Sequence, residues 1–333
     1  MRPYDNKAGA GMDTARPHSR RTRGLTAAGA TVALAAATAV SAFAGTGSAA
    51  TVRTTAPHAS QYSASVRLHG HLVEVHVAGR WGIIPQRPAG VSQPTAKAGN
   101  LIYHGGPVAH SPKVYLDFWG SQWKSDRRGV RGYLHNFFAG LGRSNDSWSR
   151  ITSQYTDSSG HGPAFAGQVL HGVWLDGNSA APSNASSGAI GAEAVNAANH
   201  FGVHGTSIQV IVVSPHGTHP DGFPNGGFCA WHSAASSSSG AVPFTNMPYV
   251  LDAGGSCGAN SVRSSLDGFS IVAGHEYAET LTDPQPASGW VDSSGAEIGD
   301  KCAWINLFTI QLSTGSFAMQ PLWSNRVSGC AQS

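Results

Sequence analysis

The chain has 333 residues, a formal net charge of +3 and only 12% charged residues, about half the charged fraction of a typical globular protein. Residues 1–50 contain six Lys and Arg and two acidic residues, so residues 51–333 contain 15 basic and 16 acidic residues. This balanced charge gives no indication that residues 51–333 bind nucleic acid. The mean hydropathy of −0.16 and the hydrophobic fraction of 41% argue against a disordered chain and against a polytopic membrane protein.

The first 50 residues predict an export signal peptide. A cluster of arginines in 16–23 precedes an uncharged stretch, 24–50, that is rich in Ala, Thr, Val and Gly. Cleavage fits after Ala44 or after Ala50, because small residues precede both positions. The arginine cluster resembles the start of a twin-arginine signal but lacks the bulky apolar pair that usually follows. The sequence therefore does not decide between export by the Sec pathway and export by the Tat pathway. We expect cleavage and a secreted, extracellular protein without a stable membrane anchor; an uncleaved anchor is the alternative.

Four cysteines in an exported chain predict two disulfides. Cys229 and Cys257 lie in one Gly-rich region, and Cys302 and Cys330 bracket the last predicted strands. We therefore expect sequential pairing, which is one of the connectivities that four cysteines allow. No C-x-x-C spacing occurs, so a cysteine-rich zinc site is not expected.

Residues 51–100 predict an extension that precedes the main domain. Apolar and polar residues alternate over 66–77, a pattern typical of a short β-hairpin. Proline and glycine residues recur between 85 and 99, which indicates a linker. We expect 51–100 to be a propeptide or a linker extension and 101–333 to be the main domain.

The main domain alternates predicted strands and helices, which indicates a single mixed layer domain of the α/β or α+β class. Apolar runs predict strands at Lys113–Trp119, 169–175, Ile208–Val213, 307–312 and 317–323. Helical spacing predicts helices at 130–141, 190–201 and 264–282, the last one stopped by Pro284. β-branched residues dominate Ile208–Val213, as in a central strand. We expect 215–232 to be a loop and 233–240 to be an exposed low-complexity patch.

The run His275-Glu276-Tyr277-Ala278-Glu279 in the last predicted helix carries the strongest chemical signal. His275 and Glu279 are four residues apart and therefore lie on one helical face. An imidazole and a carboxylate so placed can ligate one metal ion, while Glu276 can act as the base for a water that the metal activates. The pattern is that of the H-E-x-x-H zinc peptidases, with Glu replacing the second His. The extra carboxylate weakens the Lewis acidity of zinc and admits harder divalent cations.

Acidic residues are concentrated around this motif. The chain has five Glu, three of them between 276 and 297, and a chance H-E-x-x-E is expected in fewer than about one in a hundred chains of this composition. The alternative is the polar face of a surface helix. The apolar neighbours Ile271, Val272 and Leu281 disfavour that alternative, because a helix packed into the core must provide partners for its acids.

A third metal ligand is expected from the segment after the helix. Glu297 follows Glu279 by eighteen residues, a gap similar to that in zinc peptidases with a distant Glu ligand, and is the first choice. Asp300 is the second choice, and it could instead orient His275 from outside the ligand set. Asp283 is expected to cap a turn. A calcium site that includes Asp292 is a further alternative, although the spacing is not that of an EF-hand.

His232 is a candidate for the catalytic site. It follows Cys229 closely, so a disulfide could fix its position, and it could serve as a further ligand or stabilise an oxyanion. The chain has sixteen His. For His216, His219 or His232 taken singly, a structural or solvent-facing role is therefore the more frequent outcome.

Several segments resemble the phosphate-induced, Exordium-like secreted proteins. The resemblance covers roughly 101–330 in consistent order, and the segments that carry it are 103–107, 113–120, 227–232, 275–279, 282–284, 289–290 and 297–302. Plant members of this family are associated with growth responses of the cell wall. The bacterial branch, which this chain resembles through its H-E-x-x-E residues, looks like a group of exported metallopeptidases.

Two functions are compatible with these observations. The first is an exported zinc-dependent hydrolase, expected to be a peptidase acting on a peptide, a protein or cell-wall material. In it, His275, Glu279 and either Glu297 or Asp300 hold Zn²⁺ or another divalent cation, and Glu276 activates water. The second is a non-catalytic secreted or cell-wall-associated protein in which the same acids hold a structural ion.

Overall fold

The computed structural model describes residues 62–68, 71–87 and 94–333. Residues 1–50, for which the sequence predicts an export signal, lie outside the described residues. The described residues belong to one compact unit, Thr54–Ser333. Within these ranges, no helix is both long enough and apolar enough to cross a membrane.

Three α-helices and fourteen strands are found in the described residues. The helices are α1 (Val130–Gly140), α2 (Ser187–Phe201) and α3 (Asp267–Thr282). The strands are β1 (Tyr62–Leu68), β2 (His71–Val77), β3 (Trp81–Pro85), β4 (Ile102–Tyr103), β5 (Lys113–Trp119), β6 (Leu170–Asp176), β7 (Ile208–Val213), β8 (Phe228–Ser237), β9 (Gly240–Met247), β10 (Trp290–Val291), β11 (Phe308–Leu312), β12 (Gly315–Met319), β13 (Leu322–Ser324) and β14 (Gly329–Ala331).

Eight of these strands form one mixed sheet, in the order β1-β2-β8-β9-β7-β5-β6, with β3 also paired to β8. Strands β9, β7, β5 and β6 run parallel to one another. Strand β8 is antiparallel to β9, β2 and β3, and β1 is antiparallel to β2. Every residue of β7 is buried, which confirms the predicted central strand. The mixed α/β class predicted from the sequence is therefore confirmed.

Helices α2 and α3 pack on opposite faces of this sheet. Phe244 and Thr245 are adjacent in β9, so their side chains point to opposite faces. The ring of Phe244 lies 3.5 Å from the point where Gly191 of α2 would carry a Cβ. Thr245 Oγ1 accepts a hydrogen bond from Gln209 Nε2, which also donates to Thr280 of α3. The sheet is thus covered by one helix on each side, a three-layer arrangement.

The predictions for 215–232 and 233–240 are wrong in part. Strand β8 includes the end of the expected loop and most of the expected exposed patch. Ser233 and Ala235 are 0% and 1% exposed. Alanine and serine have low strand propensity, but β8 is paired with β9 on one side and with β2 and β3 on the other, and this pairing overrides the propensity. The single strand predicted at 317–323 is divided into β12 and β13 around Pro321, which lacks an N–H.

Helix α3 is buried along its whole length, as the apolar residues beside its motif predict. The carboxylate of Asp267 accepts backbone N–H groups of residues 262–264, which fixes the entry to the helix. The helix ends at Thr282, two residues before Pro284, as predicted. Asp283 then accepts the backbone N–H groups of Ala287 and Gly289, so it caps a turn. Its buried charge is therefore partnered by the backbone.

Two disulfides join Cys229 to Cys257 and Cys302 to Cys330, with Cα–Cα distances of 5.5 and 5.8 Å. The predicted sequential pairing is confirmed. Each bridge closes a loop with a sequence separation of 28, which stabilises the folded state by about 3–4 kcal/mol on a chain-entropy model.

Candidate metal centre

Helix α3 presents three side chains of its motif to one buried site. His275 and Glu279 lie one turn apart, and His275 Nε2 is 3.0 Å from Glu279 Oε1. Glu276 points to the neighbouring strand β8, where its Oε2 is 3.4 Å from His232 Nδ1. The helix therefore brings one imidazole and two carboxylates together, as the spacing of the motif predicts.

Two further elements complete the cluster. His232 comes from β8 and reaches Glu279 Oε2 with its Nδ1 at 3.5 Å, and its Nε2 lies 3.6 Å from Glu297 Oε1. Asp300 begins a 3-10 turn, Asp300–Cys302, and its Oδ1 lies 3.8 Å from His275 Nε2. All six residues proposed from the sequence thus meet in one place.

The structure divides these residues into two groups that share Glu279. The first group consists of His275, Glu279 and Asp300, and the second of His232, Glu279 and Glu297. In each group, one ligand atom from every residue lies within 4.8 Å of the others. The ligand choices left open by the sequence, Glu297 and Asp300, therefore fall on different sides of Glu279.

The separations between these atoms suit a bound cation. Ligand atoms on a tetrahedral ion with bonds of about 2.0–2.2 Å lie about 3.3–3.6 Å apart. His232 Nδ1 lies 3.4 and 3.5 Å from the nearer oxygens of Glu276 and Glu279, and His275 Nε2 lies 3.0 and 3.8 Å from those of Glu279 and Asp300. Glu297 lies 3.6 Å from the other nitrogen of His232, Nε2. Most of these spacings exceed an ordinary hydrogen bond and are close to those between ligand atoms on one ion.

Burial makes unpartnered polar atoms in this cluster unfavourable. His232, His275, Glu276 and Glu279 are 0% exposed, and Glu297 is 1% exposed. Among the described residues, both ring nitrogens of each histidine, both oxygens of Glu276 and one oxygen each of Glu279 and Glu297 have no hydrogen-bond partner. Buried polar groups in folded proteins are normally paired or bound to metal. A divalent cation would provide the missing partner.

The charges of the cluster shift its pKa values in opposite directions. Burial disfavours the imidazolium of His275, but the charge of Glu279 outweighs it and raises the pKa of His275 to about 9. Burial raises the pKa of Glu276 to about 8 and that of Asp300 to about 7. Burial also acts against Glu279, yet the charge of His275 lowers the pKa of Glu279 to about 2. Crowded carboxylates thus compete for positive charge, which protons or a metal ion can supply.

Strand β3 covers this cluster. Trp81 pairs with His232 across the antiparallel β3–β8 ladder. Gly82 has φ +48, and a Cβ on it would overlap Glu279 Oε2 and the ring of His232. Only glycine fits this close approach. Sequence reasoning missed Gly82, because 51–100 carries no chemical motif and was expected to be a propeptide or linker.

Gly299 and Gln320 also shape the centre, and sequence reasoning missed both. A Cβ on Gly299 would lie 2.8 Å from His275 Nδ1 and 2.9 Å from Glu279 Oε1. The carbonyl of Gly299 accepts a hydrogen bond from Gln320 Nε2 at 2.9 Å. A glycine that precedes an acid, as in Gly299-Asp300, is a weak signal that becomes informative only once the fold places it against His275.

Other residues considered from the sequence lie outside the two ligand groups. Asp292 forms an ion pair with Lys301, with Oδ2 2.9 Å from Nζ. His216 pairs with Asp252 near the surface. His219 Nδ1 lies 3.1 Å from the carbonyl oxygen of Phe223. Each therefore has a structural partner of its own.

A cavity of about 590 Å³ adjoins the centre. Gly82 and Asp300 line it, together with Arg80, Lys97 and Trp304. The side chain of Asp300 is 17% exposed, whereas those of the histidines and of Glu279 are fully buried. Asp300 is therefore the member of the cluster through which the centre meets this cavity.

Comparison of the chain with models of protein families, with curated proteins and with solved structures found no match. The centre offers two imidazoles and four carboxylates, several of them unpartnered, in a covered site beside a cavity.

Proposed function

We propose that this chain is an exported metal-dependent hydrolase that cleaves peptide bonds, with zinc or a similar divalent cation in its centre. The observation that supports this most directly is the convergence of two histidines and four acids, with many polar atoms unpartnered in the described part of the chain. A divalent cation in such a site lowers the pKa of a water molecule and polarises a carbonyl group. The zincin-like character of α3 is part of this proposal.

Glu276 is the residue proposed to move the proton. It belongs to neither ligand group formed by the described residues, and both of its oxygens have no hydrogen-bond partner there. It is next to His275 in the chain and can accept a proton from the attacking water. His232, a catalytic candidate from the sequence, is assigned to ligand binding in this proposal, because Glu279 and Glu297 both face its ring.

Export and the substrate class are also proposals. Two disulfides are typical of proteins that fold in an oxidising compartment. The resemblance of 101–330 to Exordium-like secreted proteins, and to their bacterial H-E-x-x-E branch, supports a peptide or protein substrate outside the cell, including cell-wall material. Neither nucleic acid nor a stable membrane anchor is expected.

A non-catalytic secreted protein with a structural ion is the second candidate. The full burial of His232, His275, Glu276 and Glu279 favours it. A catalytic metal keeps one coordination position open to substrate, whereas a structural metal is enclosed by protein. Strand β3 would then be a permanent cover.

The substitution Glu276→Gln separates the two candidates. It removes the proposed proton acceptor and leaves both ligand groups intact. We expect the metal content to stay at the parent value and hydrolysis to fall by about 10²–10⁴-fold, because general base catalysis supplies a factor of that order. The measurements are metal content by mass spectrometry and cleavage of casein by the full chain.

Glu74→Gln is the matched control, since Glu74 is an exposed glutamate on β2. Its metal content and its rate should equal those of the parent. Casein cleavage at the parent rate by Glu276→Gln would show that Glu276 is not the base. Arg80→Ala tests whether β3 merely blocks an active centre, because Arg80 precedes β3 and binds Asp221 at 2.8 Å. The non-catalytic candidate is favoured if the metal-loaded parent is inactive and if this variant, with the start of β3 less firmly held, is inactive as well.

A further inference from the structure

We propose that the centre binds two divalent cations and that Glu279 bridges them. This inference goes beyond the proposed function, although it rests on the same assignment of the cluster to metal binding. It assigns His275 and Asp300 to one ion, and His232 and Glu297 to the other. The ions are of the first-row type, such as Zn²⁺, Co²⁺ or Mn²⁺, because the donors are imidazole nitrogens and carboxylate oxygens.

The orientation of Glu279 is the first argument. Its Oε1 is 3.0 Å from His275 Nε2, and its Oε2 is 3.5 Å from His232 Nδ1. The two oxygens of one carboxylate therefore face different imidazoles. Oε1 also accepts the backbone N–H of Asp300 at 2.9 Å, which holds the carboxylate in this orientation, while Oε2 has no hydrogen-bond partner among the described residues. In this orientation each oxygen of Glu279 could bind a different ion, one beside each imidazole.

Each side of Glu279 offers one imidazole and one further carboxylate. Asp300 Oδ1 lies 3.8 Å from His275 Nε2, the nitrogen that Glu279 also faces. Glu297 Oε1 is nearest the Nε2 of His232, whereas Glu279 faces its Nδ1, but one donor atom each of His232, Glu279 and Glu297 lie within 4.8 Å of one another. One ion bound by either group would satisfy one imidazole and leave the other, with its carboxylate, buried and unpaired. An unsatisfied buried charge is strongly unfavourable. Two ions provide a partner for both imidazoles and for Glu279, Glu297 and Asp300, and leave only Glu276, the proposed base, outside the ligand groups.

The charge of the cluster is the second, independent argument. Four carboxylates, those of Glu276, Glu279, Glu297 and Asp300, surround two imidazoles that are neutral when they bind metal. Two divalent cations balance these four negative charges, whereas one cation leaves two uncompensated in a buried site. Asp283 is a further buried carboxylate whose charge the backbone N–H groups stabilise without cancelling it, so two cations do not exceed the negative charge of the region.

Metal titration of the full chain tests the proposal. Protein freed of metal by a chelator is titrated with Co²⁺ and, separately, with Mn²⁺, and bound metal is measured after gel filtration. The parent should bind two ions per chain, and adjacent Mn²⁺ ions, about 3.5–4 Å apart across the bridge, should give an exchange-coupled electron paramagnetic resonance signal. Saturation at one ion per chain with both metals overturns the proposal.

Single-ligand variants locate the two ions. His275→Ala and His232→Ala should each bind one ion and lose the coupled signal. Glu279→Ala should retain nearly none of either ion after gel filtration, because both ligand groups share Glu279. The conservative variants Asp300→Asn and Glu297→Gln repeat the test for each side, in case an alanine variant does not fold. Two ions retained with a coupled signal in either histidine variant also overturn the proposal.

His110→Ala is the matched control, because His110 pairs with Asp157 near the surface, away from the cluster. Its binding curve should equal that of the parent. Failure of this inference and failure of the proposed function give different results. Two bound ions without hydrolysis overturn only the function, and one bound ion with hydrolysis that depends on Glu276 overturns only the inference.

Discussion

Lys301 shows how a single residue fixes the segment 292–301, which carries two acids of the centre. Its side chain is fully buried, and its Nζ lies 2.9 Å from Asp292 Oδ2, 3.1 Å from the carbonyl oxygen of Ala98 and 4.4 Å from the ring centre of Trp323. The pair joins the two ends of the segment 292–301, which carries Glu297 and Asp300. A buried pair of this kind fixes geometry more than it adds stability.

The Asp292 carboxylate is expected to stabilise the folded state in a way that depends on pH. Burial disfavours its ionised form, but hydrogen bonds from Ser294 and Lys301 outweigh burial and lower the pKa of Asp292 to about 2, from an ordinary value of about 4. The ionised form therefore stabilises the folded state above about pH 4, and this contribution is lost as the pH falls through about 2. Asp292→Asn should lower the free energy of unfolding by about 1–2 kcal/mol at neutral pH.

Urea unfolding at neutral pH and at about pH 2.5 measures this difference. The gap between Asp292→Asn and the parent should shrink at the lower pH, because the parent carboxylate is then partly protonated. A gap of the same size at both pH values would contradict the role assigned to the Asp292 carboxylate.

At the scale of elements, the cover over the centre is formed by β3, a strand that precedes the predicted main domain. The backbone of β3 pairs with β8 from Trp81 to Pro85. Trp304 Nε1 donates to the carbonyl oxygen of Pro85 at 2.7 Å, which ties the far end of the strand down. On the side that β3 covers, access to His232 and Glu279 therefore requires this strand to move, whereas Asp300 already meets the adjoining cavity.

Gly82→Ala tests whether β3 controls access. The new Cβ would overlap Glu279 and His232 and would push β3 away from the centre. We expect bound Co²⁺ to be lost to a chelator at least about tenfold faster than from the parent, because exchange requires local opening. Stopped-flow absorbance of Co²⁺-loaded protein mixed with excess chelator measures this rate.

Gly99→Ala controls for backbone strain. Gly99 also has a positive φ, +87, but nothing lies within 4 Å of the point where its Cβ would be. It should lose some stability, as a residue forced into this conformation does, and should lose metal at the parent rate. Equal rates in the parent and in both variants would contradict a covering role for β3.

The elements differ in how far the sequence predicts them. Strand Lys113–Trp119, strand Ile208–Val213 and the end of α3 before Pro284 follow from local apolar pattern and from the chemistry of proline. Strand β8 does not, because its Ala and Ser residues form a strand only through partners on both edges. A pattern within one segment carries no information about such partners.

The candidate site divides in the same way. Residues 275–279 form one helical turn, so their convergence can be predicted from spacing alone. Spacing alone cannot predict that Glu297 lies beside one imidazole and Asp300 beside the other, because this depends on how β8 and the loop after α3 meet. Gly82 lies far from the motif in sequence, and its contact with Glu279 exists only through the β3–β8 ladder.

At the scale of the whole molecule, three distant parts of the chain converge on one face of the sheet. Strand β8 carries His232, α3 carries the H-E-x-x-E residues, and the turn Asp300–Cys302 carries the last acid. Each non-helical part is tied by a disulfide, since Cys229 lies in β8 three residues before His232 and Cys302 lies two residues after Asp300. The bridges thus restrain both sides of Glu279.

The central claim is that this convergence exists to hold metal. Mass-spectrometric metal analysis of the full chain, purified without affinity metals and dialysed against metal-free buffer, tests it most directly. We predict a near-stoichiometric divalent metal in the parent, at least one ion per chain, and nearly none in Glu279→Ala, because both ligand groups share Glu279. Parent protein that is folded but carries no metal, and binds none when Zn²⁺, Co²⁺ or Mn²⁺ is added, would contradict it.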